Sequence, residues 1–361
     1  MSNKWFYSLL VGLLLCTAVN GLVYADNTRT ITDMTGRTVV VPSEIKNVLC
    51  DWMQTVVVVY GVAPDKLEAW PSAMAQTNDT KEYFPDTYES LPLVPGWKGG
   101  NGDGGNYETF ISKKPDVVIV SYYPKSPDDT SAFSLVSERQ QKLGSIPVVA
   151  LSDTMNITNS PALIQFMGDL LGEQDQAKDL IGFYNRVVDM VTKKVASIPE
   201  DKKVKVYYCI DKDGLSTSGR LYSDLIELCG GINVATYGNL SESGVSAGSV
   251  PQVSVEQVLN WNPDVIFAED QSFCSKVGTD PAWKDVKAVK DGRVYHVPKT
   301  GFSWFCCPPS INRIIGIPWA AKMMYPDLFK DMDLEGLIKE FHTLFYHKSI
   351  SDDQVKKILN S

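Results

Sequence analysis

Short apolar runs set the rhythm of this chain. Asn47–Cys50, Asp116–Val120 and Ile146–Leu151 are each about the length of one buried strand. Residues 31–42, ITDMTGRTVVVP, read as strand, turn, strand, because β-branched residues flank Thr35-Gly36. Gln54–Val62 is open between strand and helix: its valines favour a strand, while the spacing before Gly61 allows a helix. A helical stretch follows. Ser160-Pro161 supplies an N-cap and a proline at the first helical position, and Gly172 ends the first helix near Leu171. A second helix, from about Asp175 to Ala196, places Leu180, Ile181, Tyr184, Val187, Val188, Val191 and Val195 at helical spacing. Its length of about 30 Å would reach from one domain to another. After Pro199 the alternation restarts, with strands at 203–210, 264–269 and 293–297 and helices at 221–229, 312–324 and 334–346. The fold class read from this is α/β, two lobes with mainly parallel sheets joined by a long helix. The divisions are 26–159, a linking stretch 160–198, and 199–361.

One phrase occurs in both lobes. Glu108 stands seven positions ahead of Pro115-Asp116, and Glu256 seven ahead of Pro263-Asp264; an apolar run follows each. Each reads as a short helix with an acid in its first turn, stopped before proline and followed by a buried strand. The glutamates read either as helix N-terminal charges or as paired exposed acids suited to a partner with paired basic sites.

Composition narrows the class. Hydrophobic residues make up 44% and charged residues 21% of the 361, as in a folded globular chain. The net charge is −9 and no basic block stands out, which argues against nucleic acid as a partner. Lys4, the apolar stretch Trp5–Leu15 and Val23-Tyr24-Ala25 outline an export signal, residues 1–25, cut after Ala25. Lipidation at Cys16 or an uncut anchor are the alternatives, and all three place the body outside the cytoplasm. Export permits disulfides. Cys50, Cys209 and Cys229 read as buried thiols, and Cys274 with Cys306 or Cys307 as a bridge. No C-x-x-C, G-x-S-x-G, H-E-x-x-H or P-loop is present, and there are only three histidines. No enzyme, cofactor or bare-metal site is therefore expected.

The sequence resembles the periplasmic binding proteins of ATP-driven importers for ferric siderophores, haem and vitamin B12. The resemblance is carried by Asp33-x-x-Gly36-Arg37, Asn106-Tyr107-Glu108 with Lys114-Pro115-Asp116, Ile146–Val149, Ser216–Gly219, Glu227–Asn233, Pro251–Glu256, Ser303–Phe305, Pro309-Ser310 and Gly316–Trp319. It implies two α/β lobes joined by one rigid helix, a ligand between them, and a glutamate on each lobe, here Glu108 and Glu256, docking on arginines of a membrane permease that works with an ATPase. An iron chelate, haem or corrinoid is the implied ligand, and a monomer is expected. A sensor of the same fold and a chelatase-like enzyme are the alternatives.

Ligands of open α/β domains sit beyond the carboxyl ends of the strands. That rule selects Asp51 and Trp52, Tyr122 and Tyr123, Asp270 and Gln271, and Phe302–Phe305; Trp52 and Trp304, with Trp97, are favoured because aromatic faces grip flat ligands. The resemblance adds Trp97, Lys98 and Arg220. Trp261, Trp283 and Trp319 read as core, and His296 as structural. The glycine-rich insert 99–105, Val250 where B12-binding members have an aromatic, and Cys306-Cys307 depart from the family pattern.

Overall fold

The computed structural model describes residues 27–71, 82–96, 107–122, 131–217, 222–236 and 251–360. The expected export signal and the expected contacts at Trp97, Lys98, Tyr123 and Arg220 lie outside these residues.

The first lobe opens with an antiparallel hairpin, β1 (Thr28–Thr32) and β2 (Thr38–Pro42). Asp33 holds its turn: Oδ1 accepts from the Thr35 and Arg37 amides, and Oδ2 pairs with Arg37 at 3.1 Å. The Ala150 amide also donates to Asp33 Oδ2, which pins the hairpin to the lobe's sheet. That sheet is parallel, in the order β3 (Val48–Cys50), β4 (Val117–Tyr122), β5 (Val148–Ser152). Successive residues of β4 serve opposite faces. Val117 and Ile119 join the central core, while Val118 and Val120 pack towards α2 (Tyr107–Lys113) and α3 (Ser131–Leu143) with Phe110, Val136 and Leu143.

The ambiguous valine run is a helix, α1 (Met53–Val62), with every residue from Gln54 to Val62 buried. β-branched residues lose side-chain freedom in a helix, and burial on all sides offsets that weak propensity. The linking stretch is two helices, α4 (Ser160–Leu171) and α5 (Gln174–Val195), separated at Gly172, whose φ of +77° suits a left-handed cap. α5 buries Leu180, Tyr184, Val187, Val191 and Val195. It packs on α1 and α4 and on helices of the second lobe.

The second lobe holds a four-stranded parallel sheet ordered β9-β8-β6-β7: β6 (Lys205–Cys209), β7 (Ile232–Asn233), β8 (Val265–Ala268) and β9 (Val294–His296). Around it lie α6 (Ser223–Leu228), α7 (Val255–Trp261), α8 (Gln271–Val277) and α9 (Gly316–Met324). The last helices, α10 (Leu334–Phe345) and α11 (Asp352–Leu359), return to the first lobe. Tyr60 donates to the Tyr346 carbonyl at 3.1 Å, Lys348 to the Phe84 carbonyl at 2.8 Å, and Gln354 to the Glu82 carbonyl at 3.2 Å. One hydrophobic cluster therefore runs through both lobes and the linking helices. No described helix is long and apolar enough to cross a membrane.

Candidate functional site

The first wall of the site is built where β3 gives way to α1. Asp51 is fully buried there. Its carboxylate accepts from the Ser121 amide at 3.1 and 3.2 Å and from Thr55 Oγ1 at 3.0 Å, and pairs with Arg139 at 2.8 Å. Burial pushes the Asp51 carboxyl up, and the Arg139 guanidinium opposes it. Trp52 follows, partly exposed, its ring lying so close to Gly96 that a Cβ there would come within 2.9 Å. Glycine at 96 leaves room for that ring. The α1 N-terminus has no side-chain cap and no acid in its first turn; the Asp51 carboxylate just ahead of it is paired with Arg139, and the leading amides carry the positive end of the helix dipole. Tyr122, at the end of β4, is buried.

The facing wall comes from the second lobe. Glu269, just past β8, is buried and accepts from Tyr208 Oη at 2.8 Å and Ser303 Oγ at 2.7 Å, with Lys299 Nζ at 3.4 Å. Ser303 Oγ in turn accepts from the Phe305 and Cys306 amides, and the Ser303 amide donates to the Cys307 carbonyl. The loop then crosses to the first lobe: Ser310 Oγ donates to the Gln54 carbonyl in the first turn of α1 at 2.9 Å. This bond brings the helix N-terminus and the 302–310 loop together.

The expectation for three aromatics differs from what is observed. The sequence reading puts Tyr122, Phe302 and Trp304 on the ligand surface; the structure buries all three. Phe302 packs on Phe84 and Tyr346 from opposite ends of the chain. Gly301, with φ of +80°, lets the backbone approach, since a Cβ there would meet both rings at 3.0 Å. Trp304 has no exposed surface and lies edge-on to Trp319, its Nε1 without a partner. The rule for strand ends selects a loop but does not say which way each ring turns.

Cysteine pairing is also corrected. Cys274 is free and half-buried, and the disulfide joins the neighbours Cys306 and Cys307. Cys50, Cys209 and Cys229 are buried free thiols, as expected. Trp283 and Trp319 are in the core as expected, and Trp261 is partly buried. Among the described residues no group of three or more His, Cys, Asp or Glu could hold a metal ion.

Sequence reasoning missed a second tie beside the site. Arg313, fully buried, makes a two-pronged contact with Asp224 at 2.5 and 3.1 Å and donates to the Met155 carbonyl. Asp224 also accepts from the Ile157 amide. The segment entering α4 is thus held to the second lobe. An arginine inside an apolar stretch, INRIIGIPW, was the only signal.

The repeated phrase has one build in both lobes. Glu108 and Glu256 are exposed in the first turns of α2 and α7. Each helix is followed by a left-handed residue, Lys114 at φ +50° and Asn262 at φ +47°, and then Pro-Asp. The aspartates do matching work. Asp116 accepts from the Lys46 and Asn47 amides ahead of β3, and Asp264 from the Lys205 amide that begins β6. Ser254 caps α7 and its hydroxyl holds the Glu256 carboxyl below the usual range.

Two lobes of parallel sheet, a helical link and a loop-lined seam define a two-lobed solute-binding class. The chain belongs to the periplasmic binding protein family, whose model matches residues 57–300. It is a solute-binding protein of the ABC-transporter kind, acting outside the cytoplasm. Molybdate-binding protein MolA of Haemophilus influenzae is 26% identical over 97% of this chain and 99% of its own length. The Fe(3+)-citrate-binding protein YfmC of Bacillus subtilis is 22% identical over 55% of this chain and 59% of its own. Among solved structures, an ABC transporter solute binding protein from Sulfurospirillum deleyianum superposes with a TM-score of 0.79 at 26% identity, covering 92% of this chain and 99% of that one.

Proposed function

We propose that this protein captures an anionic, metal-bearing solute at the seam between its lobes and presents it to a membrane permease coupled to an ATPase. The observation that carries the reading is the meeting of the uncapped N-terminus of α1 with the serine-bearing 302–310 loop through the Ser310–Gln54 bond. Leading helix amides and hydroxyls are donors, and they suit an anion. A ferric chelate of the carboxylate type meets that description, as does a compact oxyanion. The oxyanion is the second reading, favoured by the full-length relative named for molybdate. A neutral corrinoid gains less from such donors. Trp52, Trp97, Lys98, Tyr123 and Arg220 are the proposed ligand contacts. Glu108 and Glu256, one exposed acid per lobe in equivalent helices, are the proposed permease contacts. Neither role requires catalysis.

The test is calorimetry and tryptophan fluorescence of the mature chain with molybdate, tungstate, ferric citrate, a ferric hydroxamate, haem and B12. Saturable binding of an anion, weakened by about 1–3 kcal/mol in Trp52→Ala, is expected. Binding of B12 alone would overturn the anion reading. For the docking pair, Glu108→Ala with Glu256→Ala should keep solute affinity and abolish solute-dependent uptake; unchanged uptake removes the glutamates from the permease contact.

A further inference from the structure

We propose that Cys306 and Cys307 form a reversible thiol–disulfide modification site, and that its state sets how firmly the 302–310 loop closes its side of the seam. The inference rests on reading that loop as a wall of the ligand site. Three observations converge on it. The pair is bonded between sequence neighbours, and Cys307 is exposed while Cys306 is buried. Attack by an external thiolate is therefore directed at one sulfur. The bonded pair also sits inside a turn already drawn tight by Ser303, which engages residues 305, 306 and 307 in succession. Finally, that turn leads through Pro308-Pro309 to Ser310, whose hydroxyl makes the bond to α1 of the other lobe. The remaining described cysteines do not compete: Cys50, Cys209 and Cys229 are buried, with their thiols pushed up by burial, and Cys274 is pushed up to about 11.

The chemistry balances with a dithiol as reductant. Its thiolate attacks Cys307 Sγ; the Cys306–Cys307 bond breaks, its electron pair goes to Cys306 Sγ, and that sulfur takes a proton. The reductant's second thiolate then attacks its own sulfur in the mixed disulfide. Cys307 leaves and is protonated, and the reductant closes to a cyclic disulfide. Two electrons and two protons pass to the protein. A small disulfide oxidant reverses the exchange. Opening the ring removes a covalent constraint from the turn that carries Ser303 and Ser310, so the loop must be ordered anew when solute binds.

The experiment uses the mature chain purified without reductant, with and without dithiothreitol, alongside Cys306→Ser/Cys307→Ser. Peptide mapping after alkylation reads the state of the pair. Hydrogen exchange reads the loop and the first turn of α1, and calorimetry with molybdate and with ferric citrate reads the site. Cys306 and Cys307 should resist alkylation until dithiothreitol is added. Reduction should then speed exchange across 303–307 and weaken whichever solute binds by about three- to tenfold, and the double serine variant should match the reduced state and ignore dithiothreitol. Alkylation of the pair without reductant, or identical exchange in both states, overturns the proposal. If exchange responds but neither solute binds in any state, the modification site stands and the anion reading falls.

Discussion

Two buried ionisable groups carry consequences at the scale of single residues. Asp51 and Arg139 form a buried ion pair, the carboxylate accepting three further hydrogen bonds. Removing one partner leaves the other charge buried without its ion pair. Asp51→Asn should destabilise the fold by about 3–5 kcal/mol in urea unfolding, and a loss under 1 kcal/mol would mean that Arg139 finds another partner. His342 is the opposite case. It is wholly buried among Tyr83, Phe341 and Tyr346, both ring nitrogens lack partners, and burial pulls its pKa down to about 3. The unfolded imidazole takes a proton below its ordinary value of about 6.5, and the folded one does not. Its contribution is therefore complete above that value and declines as pH falls towards 3, at up to about 1.4 kcal/mol per unit. Asp51, with its carboxyl raised, slopes the other way. His342→Met should flatten the acid side of the stability profile measured between pH 7 and 4; an unchanged profile would assign the loss to other groups.

At the scale of elements, the paired helix–Pro-Asp units were legible in the sequence because their logic is local. Proline stops the helix and an acid marks its start. Both left-handed residues that bridge them carry a side chain, at a cost in that backbone region. Lys114→Gly should therefore stabilise by about 1 kcal/mol, and Asn262→Gly by less, since asparagine tolerates the conformation; denaturant midpoints decide it. The long helices were legible for a similar reason, their apolar stripes being set by α5's own periodicity. What could not be read depends on distant partners. α3, polar on average, gains its place by Val136 and Leu143 packing beneath β4 and β5 and by Arg139 reaching Asp51. α8 is announced only by the Asp270 cap. Of the positions the strand-end rule selects, Trp52 is partly exposed, Asp51 is buried against Arg139, and Trp304 is buried against Trp319, packing that the rule does not see.

At the scale of the molecule, the lobes are tied by the α4–α5 link, by Arg313 and Asp224 holding Met155 and Ile157, by the Ser310–Gln54 bond, and by the return of the chain's end. Gln176 reinforces the last, donating to carbonyls of both Gly61 and Leu344. Such ties favour a seam that adjusts through its loops over wide domain opening. Deleting residues 347–361 should deprotect the end of α1 and residues 82–84 in hydrogen exchange while leaving β6 and β8 protected. Uniform loss across both sheets would show instead that the lobes unfold as one unit.

The return of the C-terminal helices also orders events in time. Tyr60 and Glu82 belong to the lobe that leaves the ribosome first, yet their partners Tyr346 and Gln354 lie 286 and 272 residues downstream. A lobe whose wall is supplied by the last segment synthesised cannot complete its core while the chain is still being made, and contacts of such sequence separation form late. For the first lobe this is a built-in delay. Its wall stays open until the final helices are in place, and only then does the first lobe shut.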